Sequence, residues 1–385
     1  MIMTDPALIP LVLSSTGVQS RKEALPSIWR WLLGDGTSLS DYSTQPEAWP
    51  QERLKKRRVI LSQHLPGQSA MEEVWRSLDW RRSGGVNDTF ELFYELFFRF
   101  NWETFLDHTY TPEAKSSQKT LRQTGVAASK TAFHQVAYYD RQFSYPADSY
   151  HLSAELLERQ NAIEVCLAIL MAPDNAWPLT SALLQGSQEW DDSSLHGQNQ
   201  LRFALTGVLL ASFENTATVA TWMAWLLATH SDWQERIAAQ DEQALEWCLN
   251  ETLRLYAPVW SMVRQFEAAG RVGEREVEAQ SSVWISPWVQ GRQKAFWERA
   301  DEFLPERWEK LKVPRGQFFP FGSGLHSCPG EAAARTQISS FIRFLLSYCR
   351  IDRVEGAPLP RPFFGVTQRP EKEVWLSFKP LRPGS

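Results

Sequence analysis

Cysteine is scarce. The 385 residues hold four, Cys166, Cys248, Cys328 and Cys349. They show no Cys-x-x-Cys or other metal-ligand spacing, so no zinc ribbon or dithiol centre is built from sequence neighbours. Three of them read as reduced thiols, in the core or at the surface, in a reducing compartment. Long basic runs are missing too. With a formal net charge of -5, the chain offers no case for binding nucleic acid. Near the N-terminus the apolar run Leu8-Ile-Pro-Leu-Val-Leu13 is broken by Pro10 and preceded by Asp5. It is too short to span a bilayer and lacks the charged start of a signal peptide. No internal repeat is visible. What is present is a chain that is 43% hydrophobic, ample to bury a large core.

Helical patterning dominates. The spacing predicts helices over 25–34, 52–65, 152–171, 199–230, 232–240, 243–256 and from Glu331 onward. The aromatic run at 88–110 falls at helical spacing, and such a stripe is core packing. Residues 199–230 are apolar but carry small polar residues and Glu214, which argues for a buried central helix rather than a membrane span. Residues 111–150 are polar, with Gly, Ser and Pro, and read as containing a loop over the active site. Short strands are expected at 262–270 and 282–286 and in the Pro-rich stretch 352–382.

The most informative stretch is Phe318-Phe-Pro-Phe-Gly-Ser-Gly-Leu-His-Ser-Cys-Pro-Gly330. Cys328 stands in a glycine-rich loop just ahead of a helical run. A thiolate there feels the positive end of the helix dipole, which favours the ionised, ligating form. Glycines let the backbone come close to whatever the sulfur binds. Upstream, Glu251-x-x-Arg254 puts a carboxylate and a guanidinium on one helix face. Taken alone, that pair is an ordinary helical ion pair, which at a surface contributes little.

Together these motifs resemble the cytochrome P450 family of haem-thiolate enzymes. Phe321, Gly324, Cys328 and Gly330 meet its Phe-x-x-Gly-x-x-x-Cys-x-Gly pattern, and Glu251-x-x-Arg254 with Pro305-Glu-Arg-Trp308 meets a second. The resemblance implies one mainly α domain over 1–385 with a small β portion, and it covers the chain from about residue 30. The region 1–50 stands where the family has more chain, so a shortened N-terminal β region and a more open substrate side are expected. The central helix is expected at 199–230, and the cysteine loop with its helix at 318–346.

The resemblance also assigns roles. Haem b, iron protoporphyrin IX, is the implied cofactor, and Cys328 its metal ligand. Phe321, Gly322, Gly330 and Ala211 line it, and His326 and Arg264 face its propionates. Trp49-x-x-x-Arg53 fits a further propionate-binding pattern literally, while Arg57 fits it by position. Arg264 matches the family's arginine after the Glu-x-x-Arg helix, while Arg292, in Gln290-Gly-Arg-Gln, resembles the family's His-Arg-Asp stretch and reads equally as a surface residue. Arg307 completes a buried network with Glu251 and Arg254 that braces the loop.

The central helix departs from the family. Its pattern, Ala/Gly-Gly-x-Asp/Glu-Thr-Thr, falls on Ala211-Ser-Phe-Glu-Asn-Thr216. Glu214 keeps the acid and Thr216 the second threonine, but Ser212 replaces a glycine and Asn215 a threonine. A carboxamide donates and accepts hydrogen bonds, so Asn215 either holds a water in a proton relay, contacts substrate, or fills the helix. Two functions stay open. One is a monooxygenase that inserts one oxygen atom from O2 into a hydrophobic small molecule, in specialised metabolism. The other is a non-oxygenating haem-thiolate enzyme, a dehydratase, isomerase or peroxygenase. The first implies a ferredoxin and a ferredoxin reductase as partners, with free or carrier-protein-bound substrate. It also implies no membrane anchor, a soluble bacterial-type form and a cytoplasmic location.

Overall fold

The aromatic run predicted as core is the place to start. In the computed structural model it forms a helix, Thr89–Phe100, capped by Asp88, whose carboxylate accepts from the Phe90 N–H at 3.2 Å. The structure describes residues 2–13, 20–21, 68–79, 85–105, 111–121, 123, 154–170, 212–266, 268–279, 281–314, 316–324, 327–365 and 367–381. The predicted helices at 25–34 and 52–65 lie outside them. In chain order the helices are α1 (Ile9–Leu13), α2 (Gln68–Ser77), α3 (Thr89–Phe100), α4 (112–121), α5 (Ala154–Leu170), α6 (Glu214–Ala228), α7 (Ser231–Ala238), α8 (Glu242–Leu255), α9 (Pro287–Gln290) and α10 (Glu331–Tyr348).

The polar stretch after residue 110 begins as a helix over 112–121, because Thr111 starts a turn: its carbonyl accepts from the Lys115 N–H and its hydroxyl from the Ala114 N–H. The loop expected within 111–150 falls on residues that lie almost wholly outside the described ones. The central helix, expected as one run over 199–230, is interrupted by a bend at Ser212 and Phe213 and continues as Glu214–Ala228, while residues 199–211 lie outside the described ones.

α6 is the axis of the larger core. α3, α8, α10 and α7 all pack on it. Its own residues explain this, since nearly every side chain from Thr216 to Leu227 is buried. Phe213, at its head, meets Tyr94 and Phe98 of α3 edge to face at 5.0 and 4.9 Å. Trp222 stacks on Tyr256 at 4.0 Å, just past the end of α8. Edge-to-face rings such as Phe93 and Phe341 at 4.9 Å add about 0.5–1.5 kcal/mol beyond their buried area.

The strands are short. β1 (Ile2–Met3), β7 (Ser282–Ile285), β4 (Met262–Phe266) and β2 (Ser20–Arg21) make one sheet in the order β1-β7-β4-β2, with β1 parallel to β7 and the other pairs antiparallel. β3 (Val86–Asp88), β11 (Trp375–Pro380) and β8 (Cys349–Arg353) make another. β5 (Gly270–Val272) with β6 (Arg275–Val277), and β9 (Pro362–Phe364) with β10 (Gln368–Pro370), are hairpins. The predicted strands at 262–270 and 282–286 are thus β4 and β7. Among the described residues of the first fifty, the strands β1 and β2 are two residues each.

A second, smaller core lies under the first sheet, with Ile9, Val12 and Leu13 of α1 against Phe266, Val283 and Ile285. Phe319 is buried in it, while its neighbours Phe318 and Phe321 pack against the helical core. The run that leads into the Cys328 loop therefore straddles both cores. Phe341→Ala is expected to lower stability by about 3–5 kcal/mol, since a large buried side chain is lost and the cavity relaxes only partly. The check is the shift in the urea unfolding midpoint.

Candidate active site

The loop around Cys328 closes on itself. The Cys328 N–H donates to Phe321 O at 2.8 Å, and the Gly322 N–H to Phe319 O at 2.9 Å. Gly322 and Gly324 have φ of 74° and 73°, the left-handed region that side chains avoid. Gly330 caps α10, and a Cβ built there would lie 3.9 Å from Cys328 Sγ. The sulfur is thus held at the N-terminal end of an 18-residue helix, as the sequence suggested. The other cysteines are unlike it. Burial pushes the Cys166 thiol up to about 12 and the Cys248 thiol well above its ordinary value, so both stay protonated as small core residues. Cys349 is buried.

Glu251 and Arg254 sit side by side on α8, both inside the protein. Arg254 grips the carboxylate with two hydrogen bonds, Nε to Oε2 at 2.9 Å and Nη2 to Oε1 at 2.7 Å. Its remaining donors reach Gly291 O and Ala300 O, both at 2.6 Å, and Glu302 O at 2.9 Å. Every guanidinium N–H is used. Arg307 Nε adds a bond to Glu251 Oε1 at 3.0 Å, and the Leu304 N–H another at 3.0 Å. Trp308 Nε1 donates to Oε2 at 2.9 Å. The Trp308 ring then meets Phe318 at 4.8 Å, at the start of the cysteine loop. Gly291 is required for this approach, because a Cβ there would lie 2.3 Å from Arg254 O. Glu251, Arg254 and Arg307 are therefore one buried network, and Trp308, to which the sequence assigned no role, joins it to the loop. The only sequence signal for Trp308 was its place in Pro-Glu-Arg-Trp.

Arg264, on β4, is 3% exposed. Its Nη1 donates to Val263 O at 2.9 Å, its Nε has no partner, and among the described residues no carboxylate pairs with it. Burial pulls its pKa down to about 10. A buried guanidinium left this way calls for an anion. That fits a haem propionate, and with a reduced cysteine at a helix head it fits a haem bound through sulfur. Arg292 has another setting: its guanidinium lies 3.3 Å from the Trp288 ring centroid and 3.8 Å from Asp301.

At the head of α6, Glu214 is buried and ion-paired to Arg369 Nη1 at 3.2 Å, and the Thr367 hydroxyl donates to the same Oε1 at 3.0 Å. Neither partner had a sequence signal, since both come from the C-terminal hairpin, more than 150 residues away. The Thr216 hydroxyl donates back to Ser212 O and Phe213 O at 2.8 and 2.9 Å. Such back-bonding bends a helix start, which accounts for a bend with no glycine in it. Thr216 therefore shapes the backbone and does not aim a hydroxyl away from it. Asn215 is half-buried beside Glu214. Phe321 lies under the Arg335 guanidinium at 5.1 Å. Arg53, Arg57, Ala211 and His326 lie outside the described residues.

Compared with known families, residues 161–376, more than half of the chain, match Cytochrome P450. The chain is 29% identical over 203 residues to cyclooctatin synthase of Streptomyces melanosporofaciens, covering 48% of this chain and 43% of that protein. It is also 29% identical over 170 residues to cyclooctat-9-en-7-ol 5-monooxygenase of the same organism, covering 39% and 37%. The matches thus span less than half the length of these curated relatives. Among solved structures, a six-coordinated cytochrome P450 from Thermus thermophilus shares the fold with a TM-score of 0.68 at 21% identity, over 98% of this chain and 92% of that one.

Glu251→Ala strands the buried Arg254 guanidinium and removes a carboxylate partner from half-buried Arg307, and is expected to yield protein that does not retain haem; an unchanged Soret band would contradict the assignment. Trp308→Phe removes one donor from a buried carboxylate and is expected to cost about 1–3 kcal/mol in stability, read from the denaturation midpoint of haem-loaded protein.

Proposed function

The chain belongs to the cytochrome P450 family, and we propose that it is a haem-thiolate monooxygenase that inserts one oxygen atom from O2 into a hydrophobic small molecule. Its cofactor is haem b. The observation that carries the proposal is a loop built around one reduced cysteine at a helix head, braced by a buried carboxylate whose hydrogen bonds are all made within the protein. The relative named a 5-monooxygenase supports oxygen insertion over the dehydratase, isomerase and peroxygenase readings.

Iron protoporphyrin IX held by a cysteine sulfur supplies an iron to which the thiolate pushes electron density, which favours O–O cleavage. The protein's part is to hold and to protonate. Cys328 ligates and Gly330 leaves room beside the sulfur. Arg264 takes a propionate, with His326 and one of Arg53 or Arg57 as further cations. Glu214 and Asn215 hold water at the head of α6, the carboxylate as proton acceptor and donor and the amide as a neutral relay partner. Thr216 keeps that turn bent.

A hydroxylation or epoxidation in specialised metabolism fits this site. Electrons come from separate proteins, a ferredoxin and its reductase, in the cytoplasm. Among the described residues no helix is long and apolar enough to cross a membrane.

With ferredoxin, reductase and a candidate substrate supplied, NADPH consumption is expected to match formation of an oxygenated product. Cys328→Ser is expected to abolish both the thiolate-type band of the reduced carbon-monoxide complex and turnover. Retention of both by that variant would overturn the proposal.

A further inference from the structure

The C-terminal hairpin carries a buried cation that no motif announces. Arg369 lies in β10, sealed from solvent, and reaches the first residue of α6. Thr367, two positions earlier, reaches the same carboxylate oxygen. Thr367, in the turn just before β10, and Arg369, in β10, thus bring a hydroxyl and a guanidinium to one carboxylate oxygen. The Gln368 N–H between them donates to Pro258 O at 2.7 Å, which anchors the strand to the segment after α8. The Trp260 Nε1–H donates to Gly365 O at 2.7 Å and anchors the hairpin tip. Arg369 is thus presented from a backbone that is itself held.

Three effects act on Glu214 in the same sense. The guanidinium attracts a negative charge, the hydroxyl donates to it, and the helix N-terminus favours it. Removing two charges from water is unfavourable unless the geometry is good and the polar atoms are bonded. A burial this complete therefore implies that both partners depend on each other. The Thr216 hydroxyl, two positions on, is engaged with backbone carbonyls and does not supply that support.

We propose that Arg369 is the positioning residue for Glu214: from the C-terminal hairpin it keeps the carboxylate ionised and aimed, so that proton movement at the head of α6 depends on where the hairpin sits. This rests on the reading of Glu214 as the acid of the site. The proton balance is closed. The carboxylate accepts a proton relayed from bulk solvent through one water, which is re-protonated from solvent, and passes it to a second water that hands on a proton at the reacting centre, so that carboxylate and waters end as they began and one proton has moved inward with no oxidant or reductant consumed.

The test uses the full haem-loaded chain in four forms: parent, Arg369→Lys, Arg369→Met, and Arg369→Met with Glu214→Gln. Infrared difference spectra of Arg369→Met at neutral pH are expected to show a protonated carboxyl stretch that is absent from the other three. Arg369→Met is expected to slow product formation on the order of a hundredfold, the scale of a lost acid–base group, and to enlarge the solvent isotope effect, while Arg369→Lys restores most of the rate. The double variant should regain thermal stability, because no charge is left unpaired, but not the rate. A folded, haem-loaded Arg369→Met with no carboxyl stretch and an unchanged isotope effect would overturn the proposal. So would a double variant that regains rate along with stability, which would make the pair a fastening only. If the parent itself forms no oxygenated product, the monooxygenase reading fails, and the infrared comparison still decides whether Arg369 governs Glu214.

Discussion

A carboxylate taken fully out of water must have its oxygens bonded by protein, and Glu251 is the place where this fold meets that demand. Its donors come from its own helix, from the backbone at Leu304, and from Arg307 and Trp308 in the short 3-10 turn Pro305–Glu309. Arg254 extends the same demand to the carbonyls of Gly291, Ala300 and Glu302. Segments far apart in the chain are drawn to one point. The guanidinium groups also lie near the Trp297 ring, at 5.2 and 5.9 Å, so the network has an aromatic floor. Because each member satisfies another, the cluster acts as a unit: removing one leaves the rest buried and unpaired.

The cysteine loop inherits its position from that cluster. Trp308 touches both Glu251 and Phe318. From Phe318 the chain places successive aromatic side chains into different cores, Phe319 under the sheet and Phe321 against the helices. Arg335 on α10 ties back to Asn250 of α8 at 2.9 Å, so the helix after the loop and the helix that carries Glu251 are joined on a second side. A ligand atom needs this kind of support. Its position must survive thermal motion of the loop, and only packing and bonded neighbours supply that. Cys166 and Cys248 are differently placed: burial in apolar surroundings keeps those thiols protonated and inert.

The head of the central helix shows how a departure from a family pattern is absorbed. With Ser212 in place of glycine, the bend is made by the Thr216 hydroxyl bonding backward to two carbonyls. With Asn215 in place of threonine, the acid next to it is held from outside the helix, by a hairpin that arrives from the far end of the chain. The local pattern changed, and the tertiary contacts that surround it make a different but closed arrangement.

Local order was readable along the chain. Periodicity located α3, α5, α7, α8 and α10 within a few residues, because an amphipathic or wholly buried helix leaves its spacing in the sequence, but it gave no helix at Ile9–Leu13, Gln68–Ser77 or Pro287–Gln290. It missed the helix at 112–121, whose polar surface carries no such stripe, and it carried the central helix through the bend at Ser212 and Phe213. Cys328, Glu251, Arg254 and Arg307 were legible because they fall on the cytochrome P450 family's patterns, which use fixed residue types at fixed spacings. Trp308 was adjacent to such a motif, yet nothing in its neighbours said that its ring nitrogen would reach Glu251. Arg264 was named, but only the structure shows that it is buried with no carboxylate beside it among the described residues. Arg369 and Thr367 were invisible, for a physical reason: a hydrogen bond depends on distance in space, and residues brought together by β10 docking on α6 share no pattern along the chain. The sequence by itself determined which side chains are chemically able to hold a haem and move a proton. Folding alone decided which of them are desolvated and which partners they find, because burial sets the strength of every charge in the site.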